Sequence, residues 1–594
     1  MTLTATGQRL RSQDWFDNPD RIDMVALYLE RFMNYGLTPE ELRSGKPIVG
    51  IAQSGSDINP CNRIHVDLAR RVRDGIRDAG GIPLEFPVHP TFENCRRPTA
   101  ALDRNLAYLG LVEILHGYPL DAVVLTTGCD KSTPMALMAA ATVDIPAIVL
   151  SGGPMLDGWH DGKLVGSGTV IWQSRRKLAA GEIDEDEFIA RAADSAPSAG
   201  HCNTMGTALT MNSLAEALGM SLPGCGAIPA PYRERAQMAY RTGQRIVAMV
   251  KEDLRPSQIL TRAAIVNAIV TNSALGGSTN AQPHLVAIAR HAGIEMAPDD
   301  WQTHGYDVPL LADVQPAGRY LGERFHRAGG VPAVMWELMR AGMIDTDALT
   351  VTGRTLGENL EGCEARDRDV IRPYDRPLRE RAGFMVLSGN LFDFAIMKTS
   401  VISDEFRERF LSRSGQEGVF EGRAAVFDSA EEYHARINDP TLKIDVATIL
   451  VIRGAGPVGW PGSAEVVNMQ PPDALLRRGI TSLPTIGDGR QSGTSDSPSI
   501  LNASPESAVG GNLRLLRTGD RIRIDLNTRR CDALLSDEEF LNRRKAGAVP
   551  AVPESQTPWQ ALYRQTVGQL RDGAVIEDAV RFRQVARTPP RHNH

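Results

Sequence analysis

Between residues 47 and 155 the chain alternates short apolar runs with segments of helical periodicity, and glycine-, proline- or asparagine-containing loops separate them. This alternation constrains the fold more than any other feature of the chain. Residues 47–53 form an apolar run that stops at Ser54-Gly-Ser-Asp57. Residues 66–79 carry apolar side chains at helical spacing up to Gly80-Gly81, and 82–88 read as another strand. The pattern then repeats: helix at 106–115, strand at 121–126, loop at 128–131, helix at 133–142, strand at 146–150 running into Ser151-Gly-Gly-Pro154. The expected fold class is α/β, a parallel sheet covered by helices. Ligands in such folds bind at the carboxyl ends of strands, where these loops fall.

Residues up to about 45 read as helices over a core, and 175–350 as mostly helical, with breaks at Gly200–Gly206 and Gly276-Gly-Ser-Thr-Asn280. A proline- and charge-rich stretch at 372–381 reads as a linker. Beyond it, apolar segments at 384–387, 424–427 and 447–452 and an alternating one at 522–526 predict a smaller β-rich unit. The expected division is an N-terminal α/β domain, 1–378, and a C-terminal β-rich domain, 379–594. The last residues, 587–594, read as a frayed tail.

Composition removes several functions. The net charge of −7 provides no global basic footprint for nucleic acid or an anionic membrane, leaving room only for a local patch. No run approaches the ~18 apolar residues of a membrane span. The start, with Arg9, Arg11 and Asp14, lacks the apolar core of a secretory signal, so a cytoplasmic protein with reduced thiols is expected.

Seven cysteines spread over 594 residues do not make a disulfide scaffold. Three lie in unusual loops: Cys61 in Asn59-Pro-Cys-Asn-Arg-Ile-His65, Cys129 in Thr127-Gly-Cys-Asp-Lys131, and Cys202 in Ala199-Gly-His-Cys-Asn-Thr-Met-Gly206. Each is placed after a predicted strand or at the start of a predicted helix, where thiol pKa values fall. Three such thiolates can hold an iron–sulfur cluster and leave one iron open to substrate. There is no CxxC pair, so packing as a small apolar side chain stands as the alternative for each. Cys95, Cys225, Cys363 and Cys531 are read that way, with Cys95 set apart by its closeness to Glu93.

Asp130 and Lys131 follow Cys129 directly, Glu93 ends a strand-like segment at 86–92, and Glu465 lies in Gly459-Trp-Pro-Gly-Ser-Ala-Glu465. Such carboxylates suit Mg²⁺, or else are ordinary surface groups. The loop Gly487-Asp-Gly-Arg-Gln-Ser-Gly-Thr494 permits close approach of backbone to a ligand, with Arg490 to meet a carboxylate and Ser492 to present a hydroxyl. A plain glycine-rich turn is the alternative. No phosphate loop of the GxxxxGK[ST] type is present there.

In order along the chain, Pro60-Cys-Asn62, Gly128-Cys-Asp-Lys131, Ser151-Gly-Gly-Pro-Met155, Cys202 before Met205-Gly-Thr-Ala208, Gly276-Gly-Ser-Thr-Asn280 and Asp488-Gly-Arg-Gln-Ser-Gly493 resemble the motifs of the dihydroxyacid/phosphogluconate dehydratase family over about residues 10–590. Departures from the amino-acid-biosynthetic branch, among them His201-Cys-Asn-Thr-Met205, Gly389-Asn-Leu-Phe-Asp-Phe394 and Gln491-Ser-Gly493, match its sugar-acid (pentonate) branch. So do Trp15-Phe-Asp-Asn18 and Ala230-Pro-Tyr-Arg-Glu-Arg235.

The resemblance implies dehydration of an aldonate, D-xylonate or also L-arabinonate, to a 2-keto-3-deoxy acid; the alternative is the branched-chain dihydroxyacid reaction. It implies a 2Fe–2S cluster on Cys61, Cys129 and Cys202, although a 4Fe–4S form also occurs in the family. It implies Mg²⁺ on Glu93, Asp130, Glu465 and a carbamylated Lys131, with Ser492 as the base. Thr494, Ser463, Arg490 and His201 are its implied substrate contacts, His201 otherwise tuning the cluster or bonding within the core. A C-terminal β-barrel-like domain and a homodimer or homotetramer are implied as well.

Overall fold

The computed structural model describes residues 9–412, 415–547 and 552–592. The readings of the chain's start and tail fall in part on residues 1–8 and 593–594, outside the described residues.

Four strands, β1 (Ile48–Gln53), β2 (Ile82–Pro87), β3 (Ala122–Thr127) and β4 (Ala147–Ser151), form a parallel sheet in the order β2-β1-β3-β4. Every residue of β3 and β4 is buried. A parallel strand covered on both faces has no polar side, which is why these segments read as unbroken apolar runs. The connecting helix Ser132–Val143 is buried at all 12 residues. Its small side chains let it pack closely against the helices Ala100–Gly117 and Ala281–Ala292. Because β2 and β3 lie on opposite sides of β1, a crevice opens at the carboxyl ends of β1 and β3.

After a short hairpin, β5 (Gly158–His160) and β6 (Lys163–Val165), helices from Thr169–Ala180 to Gly330–Arg340 fill the middle of the chain, as the periodicity predicts. The remaining strands are β7 (Phe384–Leu387), β8 (Phe394–Lys398), β9 (Val419–Phe427), β10 (Thr448–Ile452), β11 (Thr485–Gly487), β12 (Ile500–Ser504), β13 (Arg521–Asp525) and β14 (Arg530–Ala533). They form one sheet, β14-β13-β9-β10-β11-β12-β8-β7, in which β9 to β12 run parallel. Ser388, next to β7, bridges to Arg530 of β14, so the sheet curls into a nearly closed barrel. The expected α/β class with a C-terminal barrel-like unit is therefore what the chain forms.

Two features of this arrangement position the site. Neighbouring β10 and β11 point the same way, so the loops leaving them lie side by side. Asp488 ties these loops together by accepting hydrogen bonds from the backbone of Gly454 (3.1 Å), Ala455 (2.9 Å) and, beyond β12, Ser507 (2.8 Å). The C-terminal segment also crosses back to the N-terminal half. Arg104 donates to the carbonyls of Gly573 and Ala574, each at 2.7 Å, and Trp559 Nε1 donates to Leu102 O at 3.2 Å.

Candidate active site

The crevice receives its sulfur atoms from loops. Cys61 sits in the short turn Pro60–Asn62 after β1, and Cys129 is separated from the end of β3 by Gly128 alone. Asn62 joins the two loops, its Oδ1 accepting from the Cys129 backbone at 2.7 Å. Cys202 comes from a loop that ends five residues later at the helix Thr207–Ala217, and His201 beside it bridges to Pro154 after β4. All three are free thiols.

At Cys129 and Cys202 the thiol pKa is raised, not lowered as expected. Hydrogen bonding of its protonated thiol with Cys61, then burial and the charge of Asp130, push Cys129 well above its usual range. Burial and the neighbouring Cys61 push Cys202 up to about 12. Facing sulfurs in a dry crevice oppose one another's ionisation, and this outweighs the local backbone dipoles. Such a set favours thiolates only beside a strong positive charge, which makes it suited to a sulfur-liganded centre.

The carboxylates lie beside the sulfurs. The Cys129 thiol donates to Asp130 Oδ1 at 3.4 Å. Lys131 is fully buried, with Nζ 2.8 Å from Asp130 Oδ2 and 3.3 Å from Glu93 Oε2. Glu93 is not at a strand end as expected: β2 stops at Pro87, and Glu93 stands in the loop that follows. Pro87 and Pro90 remove ladder donors there. Thr99, the N-cap of Ala100–Gly117, donates to Glu93 Oε1 at 2.6 Å.

From the barrel side, Arg490 enters between two acids. Its NH1 donates to Glu465 Oε1 (3.0 Å), its NH2 to Glu93 Oε1 and Thr99 Oγ1 (3.1 Å each), and its Nε to Ser463 O (2.7 Å). Burial opposes ionisation of Glu93, but the charges of Lys131 and Arg490 win and hold it at about 2. Glu465 is pushed up to about 7, by burial and then by the charge on Glu93. Glu93 Oε2 is buried without an aligned hydrogen bond. A pocket of three acids with an unsatisfied carboxylate oxygen fits a hard cation.

Ser492 is half-buried, its Oγ 2.8 Å from Thr494 Oγ1. It joins the acids through Asn280, whose amide donates to Gln491 O (3.2 Å) and to Glu465 Oε1 (2.6 Å). The structure thus gathers Cys61, Cys129, Cys202, Glu93, Asp130, Lys131, Glu465, Arg490, Ser492 and Thr494 around one crevice. Ser463 lies at its edge, in the left-handed region at φ +60°, with its hydroxyl donating to Ala455 O at 2.9 Å and its carbonyl holding Arg490. His201 is fully buried, with Nδ1 3.0 Å from Cys202 O and Nε2 without a partner, and burial holds it neutral, at about 3.

Thr99, Asn280, Trp172 and His284 also border the site, although none carries a role that its own sequence context makes legible. Asn280 ends a motif that was legible as a loop but carried no role. His284 lies near Lys131 and is kept far below the usual imidazole range by burial and then by the charges of Lys131, Arg104 and Arg490. Trp172 donates from Nε1 to Thr494 Oγ1 at 2.9 Å, and nothing in its local sequence marks it.

Two family profiles match this chain. The dihydroxy-acid/6-phosphogluconate dehydratase N-terminal profile covers residues 46–359. The C-terminal profile of the same family covers 369–574. Among curated relatives, the D-xylonate dehydratase of Caulobacter vibrioides is 72% identical over 589 residues, 99% of each chain. The L-arabinonate dehydratase of Rhizobium leguminosarum bv. trifolii is 44% identical over 96% of each chain. A dihydroxy-acid dehydratase of Caldanaerobacter subterraneus is 41% identical over 91% of this chain and 96% of its own. With both profiles in order around the crevice just described, the chain belongs to the dihydroxy-acid/6-phosphogluconate dehydratase family and is a hydro-lyase.

Proposed function

We propose that this enzyme dehydrates a sugar acid, D-xylonate first and L-arabinonate or other aldonates after it, to the 2-keto-3-deoxy acid and water. The observation that carries this reading is the 72% identity over 99% of both chains to a D-xylonate dehydratase. The crevice chemistry agrees with it. Cys61, Cys129 and Cys202 would hold a 2Fe–2S cluster, and Glu93, Asp130, Glu465 and a carbamylated Lys131 would hold Mg²⁺. When bound, these groups supply Lewis acidity toward the C3 hydroxyl and positive charge toward the substrate's carboxylate end.

The chain's own residues do the rest. Deprotonated Ser492 Oγ takes the C2 proton, and the C–H electron pair becomes the C2=C3 bond as the C3–O bond breaks. The departing hydroxide collects that proton to leave as water, and the resulting enol ketonises by gaining a proton at C3 and losing one from the C2 oxygen. A serine hydroxyl is too weak a base at its ordinary pKa, so the reading requires stabilisation of the deprotonated oxygen. The Thr494 backbone N–H, 3.3 Å from Ser492 Oγ, is one donor for that purpose. Arg490 keeps Glu93 and Glu465 at a fixed spacing.

No helix among the described residues is long and apolar enough to cross a membrane. The same reading puts the enzyme in the cytoplasm as a homodimer or homotetramer, divided near 378/379. The test is anaerobically reconstituted protein with Mg²⁺ on a panel of C4–C6 aldonates. Formation of 2-keto-3-deoxypentonate from D-xylonate is expected. No product from any aldonate, or faster turnover of 2,3-dihydroxyisovalerate, ends the reading.

A further inference from the structure

The helix Thr169–Ala180 is half-exposed, with only Thr169, Val170 and Ser174 buried, yet it makes side-chain contacts to the two barrel loops that follow β10 and β11. Trp172 Nε1 donates to Thr494 Oγ1 at 2.9 Å. Thr169 Oγ1 donates to Thr494 O at 3.4 Å. Arg176 forms a two-pronged ion pair with Asp496, at 2.9 and 2.8 Å. Gln470 Nε2 donates back to Trp172 O at 3.4 Å.

Thr494 is hemmed in from other sides as well. A Cβ on Gly168 would stand 2.5 Å from Thr494 Oγ1, and one on Gly206 would stand 2.7 Å from Thr494 Cγ2. Both loops approach this side chain so closely that an added Cβ would force something to shift.

We propose that Trp172 is a positioning residue that fixes the Thr494 hydroxyl so that it donates to Ser492 Oγ. An indole N–H can only donate, so Thr494 Oγ1 must accept from it. That uses one lone pair of the threonine oxygen and leaves its own proton for Ser492 Oγ, 2.8 Å away. The Thr494 backbone N–H faces the same serine oxygen at 3.3 Å. The serine oxygen therefore meets two donors from one residue, one of them polarised by the indole behind it. Aligned donors of this kind favour negative charge on the oxygen they face. This inference rests on the reading of Ser492 as the base.

The test compares Trp172→Phe, which deletes the N–H and keeps a flat ring, with Trp172→His, whose Nε2 occupies the same ring position as the indole nitrogen. The readouts are kcat, KM and the isotope effect with substrate deuterated at C2. Loss of the alignment of the Thr494 hydroxyl toward the developing charge predicts about a 10- to 100-fold fall in kcat for Trp172→Phe. KM should stay within about twofold, the isotope effect should rise, and Trp172→His should recover much of kcat. Thr494→Val should match Trp172→Phe, and the double variant should lose no more than either.

A fall in kcat with unchanged isotope effect and no recovery by histidine, or a rise in KM alone, assigns Trp172 a packing role and overturns the proposal. Thermal unfolding of each apoprotein shows whether it folds. If Trp172→Phe unfolds, Trp172→His against wild type carries the same test, with near-normal kcat expected and a Phe-like loss overturning the proposal. Ser492→Ala separates the two readings: an active Ser492→Ala removes the base itself, whereas an inactive one beside a normal Trp172→Phe removes only the positioning role.

Discussion

Replacing Gly168 by alanine probes how tightly the structure holds Thr494. Gly168 has φ +77° and ψ −51°, a conformation that L-residues avoid, so the backbone strain alone costs ~1–3 kcal/mol. The new Cβ would also meet Thr494 Oγ1, Cγ2 and Cβ at 2.5, 2.7 and 2.8 Å, all inside van der Waals contact. Overpacking of this kind adds ~1–3 kcal/mol, for a total of ~2–6 kcal/mol unless the loop moves. Thr494 has little room to yield, since Trp172 holds its hydroxyl and Gly206 stands behind its methyl.

Gly206→Ala is the control. Its φ of −74° is ordinary, and its Cβ crowds only Cγ2, at 2.7 Å, so only the packing cost of ~1–3 kcal/mol applies. Thr494→Ser deletes that methyl. It should restore stability to Gly206→Ala but not to Gly168→Ala, where the Oγ1 and Cβ contacts and the strain persist. The assay is denaturant unfolding together with kcat for aldonate dehydration. A Gly168→Ala enzyme with wild-type midpoint and kcat, or equal rescue of both glycine variants by Thr494→Ser, refutes the reasoning.

Ser492→Ala should lower turnover by about 10²–10⁴-fold while leaving the unfolding midpoint nearly unchanged; product formation under saturating aldonate checks this. Arg490→Met strands Glu93 and Glu465 in the crevice and should destabilise the apoprotein by ~3–5 kcal/mol, read by urea titration, and an unchanged midpoint would show that the guanidinium is not what holds the acids. Lys398 is buried and donates to Gly276 O at 2.5 Å, and burial lowers its pKa to about 7. Between that value and its ordinary 10.5 the unfolded chain binds the proton that the native state has lost, so the native state gains stability as pH rises, by about 1.4 kcal/mol per unit. Lys398→Met should therefore look more favourable relative to wild type at about pH 6.5 than at about pH 9.5, and a pH-independent difference would sink the argument.

Some of this molecule can be read residue by residue from the chain. β3 and β4 show as apolar runs because both their faces are covered. The loops of Cys61 and Cys129 show because chain reversal at a strand end needs Gly, Pro and Asn locally. The position of Glu93 does not show, because the loop after Pro87 has no periodicity of its own. Ser463 is implied by the resemblance as a substrate contact, whereas its hydroxyl is committed to Ala455 O.

The parallel sheet, the β-rich character of the second unit and the loops that bring sulfur and carboxylate to strand ends are properties of the chain alone, since burial and turn formation act over a few residues and leave a local pattern. Which side chains meet was decided only in three dimensions. Arg490 reaches Glu93 across 397 positions and Trp172 reaches Thr494 across 322. Each such contact exists because two separately folded loops close on one crevice, and the identity of neither residue announces the other.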